Sequence, residues 1–419
     1  MNDRPNLQLS QFMPPLELMA SVEAIAAEIR PQLTACRQYI HRHPELSMQE
    51  FATTAYLTDR LKSCGMTPRQ TSRKIGLMCD VSSGRRDTCV VIRGDIDALP
   101  IQTDSTADYR SANADVMHAC GHDAHATMVL GALMIIRRLA EAEALPWPVA
   151  VRGVFQPGEE TSAGAPYMIE EGSLDGAFAA LALHVDPTLP VGQCGTRQGV
   201  ISAGCDSFEA IFEGRGGHSA RPHLTSDVIA AASTWINQIL QRQPRSHDCR
   251  EPAVIGLGFI SGGDAFNVIP SRVRVGGTLR SLSQSSNRAS RAAMQAAADA
   301  VATIHACKVT IAFPTETPPV VNQPDVTRRM IGWLDAFPGL DAIKVFDEPS
   351  MGAEDFAFFC EAVPGCLIRL GVAGAAAGHM PLHTPLFDID EASLVVGAQV
   401  LALGAMMLCG PSEHDAPNS

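Results

Sequence analysis

The sequence has no surplus of positive charge. Its 32 lysines and arginines are outnumbered by 45 aspartates and glutamates, leaving a formal net charge of −13 with histidine neutral. No basic face is evident, which excludes nucleic acid as the main partner. Nor does any stretch approach the roughly 18 uninterrupted apolar residues of a membrane span, so no membrane partner is expected. The opening stretch "MNDRPNLQLSQFMPPLELMA" lacks a basic segment followed by an apolar core and so predicts no secretory signal. The 12 cysteines are scattered singly and form no short disulfide framework. They read as reduced thiols of a cytoplasmic protein. There is no internal repeat and no low-complexity tract, and the tail "GPSEHDAPNS" is expected to be disordered.

What is there begins with size. A chain of 419 residues is too long for one ordinary core and predicts two or three domains. A hydrophobic fraction of 46% supplies enough apolar material to fill them. Residues 16–40 and 47–65 read as amphipathic helices separated at Pro44, with Ser47 and Glu50 spaced as a capping box for the second. "IGLMCDVSS", "TCVVIRGDIDALP", "PVAVRGVFQPGEE" and "GAFAALALHV" read as strands, the third ending in a loop, and "HDAHATMVLGALMIIRRLAEAEA" as a strong helix starting near Asp123. Strands alternating with helices predict an α/β core, a mixed sheet flanked by helices on both faces.

Near residue 200 the pattern changes. "CDSFEAIFEG", "SDVIAAASTWINQILQRQ", "EPAVIGLGFI", "SRVRVGGTLRS", "SNRASRAAMQAAADAVATIHA" and "CKVTIAF" run in the order β-α-β-β-α-β, the ferredoxin-like unit. The expected architecture is a catalytic domain in two parts, 1–200 and 317–419. It is interrupted by an inserted ferredoxin-like domain at 201–316 that serves as a lid and dimerisation domain.

Chemistry concentrates in four places. "MHACGHD" puts Cys120 and His122 just before the long helix, where a helix N-terminus favours the thiolate that binds metal. By itself this is equally a buried cysteine beside a helix start. "FQPGEE" places Glu159 and Glu160 side by side after an apolar strand. In extended backbone the two carboxylates point in different directions, so one could hold a metal while the other faces water; the alternative is a pair of exposed loop glutamates. His184 ends an apolar strand, where a satisfied core histidine is the common outcome. His383 stands in the Pro-flanked "MPLHTPLFD", where the plain reading is a surface residue. Taken together they give a thiol, three imidazoles and two carboxylates at strand and loop ends, where open α/β folds put their sites.

The stretches "HRHPELSMQE", "RGDIDALPI", "MHACGHDAHATMVLGAL", "FQPGEE", "ALHV", "GGHSARPH", "FNVIPSRVRVGGTLRS", "MGAEDF" and "LHTPLFD", in this order over roughly residues 35–400, resemble the metal-dependent aminoacylase/carboxypeptidase superfamily of amidohydrolases. Within it they are most similar to the hippurate hydrolase and auxin-conjugate hydrolase branch. The resemblance implies two divalent ions per subunit, bridged by Cys120 and completed by His122, Glu160, His184 and His383, with Asp95 and Asp97 supporting the ligands from behind. Other branches carry a histidine ligand two positions before that first aspartate; here the position is Arg93, and His122 takes over. A thiolate, imidazole and carboxylate set suits zinc, manganese, cobalt or nickel.

The implied reaction is hydrolysis of an N-acyl or N-aroyl amino acid to a carboxylic acid and a free amino acid. Glu159 would act as general base toward an activated water and then as general acid toward the leaving nitrogen. The resemblance also implies that His218 steadies the oxyanion, reaching across a dimer interface, and that Asn267 and Arg280 grip the substrate's polar end; Arg280 also reads as an exposed strand residue. His223 receives no role. Three competing readings are a dipeptidase or aminoaryl-glutamate hydrolase with the same metals, a covalent mechanism through Cys120, and a non-catalytic binding protein on the same scaffold. The expected partners are a small-molecule substrate and a second copy of the chain, as a homodimer or higher oligomer.

Overall fold

The computed structural model describes residues 15–84, 87–337, 340–341, 343–375 and 377–411. The expected disordered tail falls, from residue 412 on, outside the described residues, as does most of the opening stretch read for a signal. Among the described residues no helix is long and apolar enough to cross a membrane.

The chain divides into two compact units. The first comprises residues 1–201, 321–347 and 358–419. Its eight-stranded sheet runs Pro68–Gln70, Leu77–Ser83, Val149–Gln156, Cys89–Asp95, Ala177–Pro190, Gly365–Ala373, Cys194–Thr196 and Lys344–Val345. It is mixed: Cys89–Asp95 pairs in parallel with Val149–Gln156 and Ala177–Pro190, while Leu77–Ser83 pairs antiparallel with Val149–Gln156. The central strands are near-continuous apolar runs because helices cover them. Helices His122–Glu141 and Ala392–Leu408 are buried almost all round, the expected state of a helix with no polar face. They pack on each other, and Leu16–Arg42 packs on both.

Register fixes where chemistry can gather. Asp95 lies opposite Gln156 in one parallel pair, and Arg93 lies opposite Ala182 in the other. His184, two residues beyond Ala182, is therefore level with Asp95. The loop that follows Gln156 carries Glu159 and Glu160. The C-terminal ends of two parallel strands thus meet the N-terminus of His122–Glu141 beside the middle of a third, Ala177–Pro190, which runs on past His184 instead of ending at it as its sequence suggested.

The capping box does not form. Helix Phe51–Ser63 starts with Glu50 at its N-cap, whose own side chain makes no cap bond; Glu45 serves the end instead, accepting the Ala52 and Thr53 amides at 3.0 and 2.8 Å. Ser47 instead donates its hydroxyl to Asp97 Oδ2 at 2.7 Å. Glu50 Oε1 accepts the amides of Met48 at 2.9 Å and Gly158 at 2.8 Å. The local spacing fits a capping box, but Asp97 takes the Ser47 hydroxyl, and Gly158 shares the Glu50 carboxylate with Met48.

The second unit comprises residues 202–320 and 348–357. Its antiparallel sheet runs Ala253–Ser261, Arg272–Ser281, Gly204–Glu213, Lys308–Thr317. Helices Val228–Arg242 and Gln284–Ile304 complete a ferredoxin-like β-α-β-β-α-β order. Asp227 caps the first helix by accepting the amides of Ile229 and Ala230. Phe208, Phe212 and Trp235 anchor the core, and the Trp235 indole N–H donates to the Met294 carbonyl at 3.1 Å. Ala203 N donates to Ser350 O at 2.9 Å, which ties the late segment into this unit. The edge strand Ala253–Ser261 leaves Val254, Leu257, Phe259 and Ile260 between 39% and 57% exposed.

Candidate metal centre

Two left-handed glycines shape the loops of the site. Gly121 has φ 88°, and a Cβ there would lie 2.4 Å from Val185 Cγ2. Gly158 has φ 62°, and a Cβ would lie 2.5 Å from Met48 Sδ. Glycine alone meets both demands. The first turns the chain from Cys120 into helix His122–Glu141; the second turns it into the single 3-10 turn Glu159–Thr161. Glu159 and Glu160 are therefore on a turn, not on the extended backbone the sequence suggested. Both reach inward: Glu159 Oε2 and Glu160 Oε1 each lie 3.9 Å from His122 Nε2.

Cys120 is buried, with its Sγ 3.6 Å from His184 Nε2 and 3.4 Å from His383 Nε2. Glu160 Oε1 is 3.5 Å from His383 Nε2. Three overlapping groups, Cys120–His122–His184, Cys120–Glu160–His383 and His122–Glu159–Glu160, each bring their ligand atoms within 4.8 Å of one another.

The histidine tautomers follow from their partners. His122 Nδ1 is 2.9 Å from Asp97 Oδ1, so Nδ1–H donates and Nε2 turns its lone pair to the cluster. His184 Nδ1 is 2.8 Å from Val185 O, with the same consequence for its Nε2. A ligand histidine anchored through its other nitrogen is the usual arrangement around metals. His383 has φ 60°, and its amide donates to Ala119 O at 2.7 Å, which fixes its loop to the Cys120 segment; its side chain is 51% exposed.

Asp97 holds two residues of the cluster at once. Besides His122, it accepts the Glu160 amide at 3.0 Å on Oδ2. Asp95 is held from both sides, by Arg93 Nη1 at 2.6 Å and His125 Nδ1 at 2.6 Å. His125 was not singled out in the sequence. Although it lies near Asp95 and His122, both its nitrogens are engaged: Nε2 accepts the Val185 amide at 2.9 Å. Its position, one helical turn after His122, was the available signal. A second overlooked group lies behind. Buried Arg37 donates to Asp123 Oδ2 at 2.8 Å and Asp388 Oδ1 at 2.5 Å, and His41 Nδ1 is 2.9 Å from Asp123. This cluster ties the residue after His122 to the loop following His383.

The electrostatics favour a cation. Burial pulls the His122 pKa down, but Asp95, Cys120 and Asp97 outweigh it and hold the imidazole well above its usual range. The surroundings that attract a proton there attract a metal ion equally. Burial, with Arg369 and His125 adding to it, keeps His184 well below its usual value and hence neutral. Burial pushes the Cys120 thiol up, with His122 opposing; a thiolate there needs positive charge beside it. His122 Nε2 and Glu160 Oε1 are buried without a hydrogen-bond partner. Buried polar atoms are rarely left so, and a divalent ion among these donors would engage both. The residues fit such a group.

The remaining candidates lie in the second unit. His218 sits on the two-residue strand Gly217–His218, paired with Val268, and the Ser219 amide donates to Asn267 O at 3.0 Å. Both side chains are exposed. His218 Nδ1 accepts the Ala220 amide at 3.1 Å, so the neutral ring carries its proton on Nε2. Arg280 Nη1 donates to Met351 O at 2.9 Å. His223 is exposed on the turn Pro222–Leu224.

Comparison with known proteins agrees with this chemistry. The model of peptidase family M20/M25/M40 matches residues 91–406. N-acetyl-L-cysteine deacetylase of Bacillus subtilis is 32% identical, over 92% of this chain and 90% of the relative. IAA-amino acid hydrolase ILR1-like 2 of Arabidopsis thaliana is 33% identical, over 90% of this chain and 85% of the relative. Among solved structures, the YXEP protein of Bacillus subtilis, described as a dinuclear metal binding peptidase from the M20 family, superposes with a TM-score of 0.75. It is 31% identical, and the match covers 91% of this chain and 99% of that one.

Proposed function

We propose that this chain, which belongs to peptidase family M20/M25/M40, hydrolyses N-acyl amino acids at a centre built by Cys120, His122, Glu160, His184 and His383, with Glu159 moving the proton. The chain is a metal-dependent amidohydrolase with two divalent ions as cofactor. The relatives' named activities, deacetylation of N-acetyl-L-cysteine and hydrolysis of IAA-amino acids, support the substrate class. The observation that carries the ligand assignment is the chain of close approaches from His184 through Cys120 and His383 to Glu160, with His122 Nε2 and Glu160 Oε1 buried and otherwise unengaged.

When bound, the ions supply an activated water and polarise the amide carbonyl. Glu159 takes the proton of the attacking water. It then delivers that proton to the nitrogen, which cannot leave as an amide anion. Glu160 is grouped with His383 and Cys120 as well as with His122, whereas Glu159 is grouped with His122 and Glu160 but not with Cys120, His184 or His383. That asymmetry supports Glu160 as ligand and Glu159 as proton carrier. Asp97 and Asp95 orient the imidazoles and balance their charge.

The same reading makes residues 201–316 a lid and dimerisation insert within a catalytic domain of residues 1–200 and 317–419. Asn267 and Arg280 hold the substrate's polar end, and His218 acts as the oxyanion donor. The exposed apolar edge Ala253–Ser261 supports a closed homodimer, since such an edge is otherwise a liability. None of the 12 cysteines is joined in a disulfide, which supports the cytoplasm as the compartment. The test is a panel of N-acyl amino acids, dipeptides and aminoaryl-glutamates assayed with apoprotein and with added Zn²⁺, Mn²⁺, Co²⁺ or Ni²⁺. Turnover of an acyl amino acid only with metal is expected. Full turnover by metal-free protein ends the proposal, and preference for dipeptides or aminoaryl-glutamates moves the substrate class.

A further inference from the structure

Glu50 stands 108 residues before Gly158, has no place among the ligands, and is fully buried. Its backbone carbonyl starts helix Phe51–Ser63 by accepting the Thr54 amide at 3.1 Å. Its side chain turns the other way. One oxygen, Oε1, accepts the amides of Met48 and Gly158 at 2.9 and 2.8 Å. These two residues share an uncommon backbone, φ 63° at Met48 and φ 62° at Gly158, and the Met48 sulfur packs where a Gly158 Cβ would be. Left-handed φ is rare for a residue such as methionine and persists where surrounding contacts hold it. The other side of the residue is held as well: Gly158 O accepts the Gly164 amide at 3.1 Å and the Thr161 hydroxyl at 3.2 Å. Gly158 is thus gripped at its N–H by Glu50 and at its carbonyl by its own loop, immediately before Glu159.

We propose that Glu50 is a positioning residue for the proton carrier: its Oε1, by holding the Gly158 and Met48 amides, sets where the Glu159 carboxylate stands. The inference rests on the reading of Glu159 given above. The role needs an acceptor oxygen and not a charge. Oε2 is buried with no hydrogen-bond partner, and burial together with nearby Asp97 pushes the carboxyl up to about 7. Glutamine keeps the acceptor, and leucine removes it at similar size.

The experiment compares metal-loaded Glu50→Gln, Glu50→Leu and Glu159→Gln proteins with wild type, measuring bound metal, kcat and KM on one acyl amino acid. A misplaced reacting group costs on the order of 10²-fold in rate. Glu50→Leu is therefore expected to lose about that factor in kcat with KM and metal content unchanged, while Glu50→Gln stays within about threefold. If Glu50→Leu does not fold, Glu50→Asp, which withdraws the carboxylate by one methylene, takes its place with the same expectation. Full kcat in the leucine or aspartate variant overturns the inference, as does a glutamine variant as slow as they are, because charge would then be what matters. A loss seen only as reduced metal content or raised KM also overturns it. Glu159→Gln separates the two readings: if it keeps kcat, the assignment of Glu159 fails and takes this inference with it; if it alone is slow, only the role of Glu50 fails.

Discussion

At the candidate metal centre of the first unit, His122 and His184 each commit Nδ1 to a fixed acceptor, and Asp95 and Asp97 accept at least two hydrogen bonds apiece. In the second unit, His218 and Asn267 project from a short two-stranded ribbon into solvent, and His218 is held by a single local contact from the Ala220 amide. The first arrangement fixes these side chains within the fold, so that an ion held among them would require little reorganisation. The second leaves side chains free to meet a ligand. Groups that bind a permanent cofactor can be immobilised within the fold, while groups that act only during turnover need access to what they act on.

The sharpest way to break this contrast lies within the centre, between neighbours that share its rigidity but not their duty. Glu159→Gln is expected to lose about 10²–10⁴ in kcat while retaining both metal ions. Glu160→Gln is expected to lose metal first, with activity returning as metal concentration rises. Elemental analysis beside steady-state kinetics measures both. Reversed outcomes assign the ligand role to Glu159.

A smaller effect probes the other side of the comparison. His218→Ala should lose about 10²–10³ in kcat, the usual cost of one oxyanion donor, with metal content unchanged. If the histidine serves its neighbour's site, mixing this variant with Glu159→Gln and allowing subunits to exchange partly restores activity, because one site of each hybrid dimer then has both groups intact. No recovery, with exchange verified by mass, places His218 in its own subunit's site or outside the reaction.

The same contrast explains what was legible in the sequence. Cys120 with His122, and Glu159 with Glu160, are contiguous motifs at strand or helix ends, and an α/β alternation implies that such ends converge. The βαββαβ order of the second unit was likewise written in local periodicity. What could not be read is long-range pairing between buried polar groups. Arg37 meets Asp388 across 351 residues, and His125 meets Asp95 across 30; no periodicity announces either contact. At Ser47 the distant partner prevailed because the buried Asp97 carboxylate needs its donors, while Glu45 serves the helix end by accepting the Ala52 and Thr53 amides. The backbone at Glu159 and Glu160 departs from the extended form for a related reason. The strand ends at Gln156, and Gly158 redirects the chain before the carboxylates are reached.

The smallest expected effect concerns Arg280, which is half-buried and spends one N–H on Met351 O. If it grips the free carboxylate of the amino-acid product half, it does so equally in ground and transition states. Its loss should then raise KM and leave kcat alone. Arg280→Lys keeps the charge but not the planar fork that binds a carboxylate through two parallel hydrogen bonds, so a rise in KM of about tenfold is expected, equivalent to about 1.4 kcal/mol of binding. A substrate whose α-carboxylate is converted to an amide supplies the control. Wild type and Arg280→Lys should handle it alike, because the interaction that distinguishes them is gone. If Arg280 only buttresses the Met351 segment, the two substrates suffer equally from the substitution, and the residue belongs with the fixed framework rather than with the groups that meet the ligand.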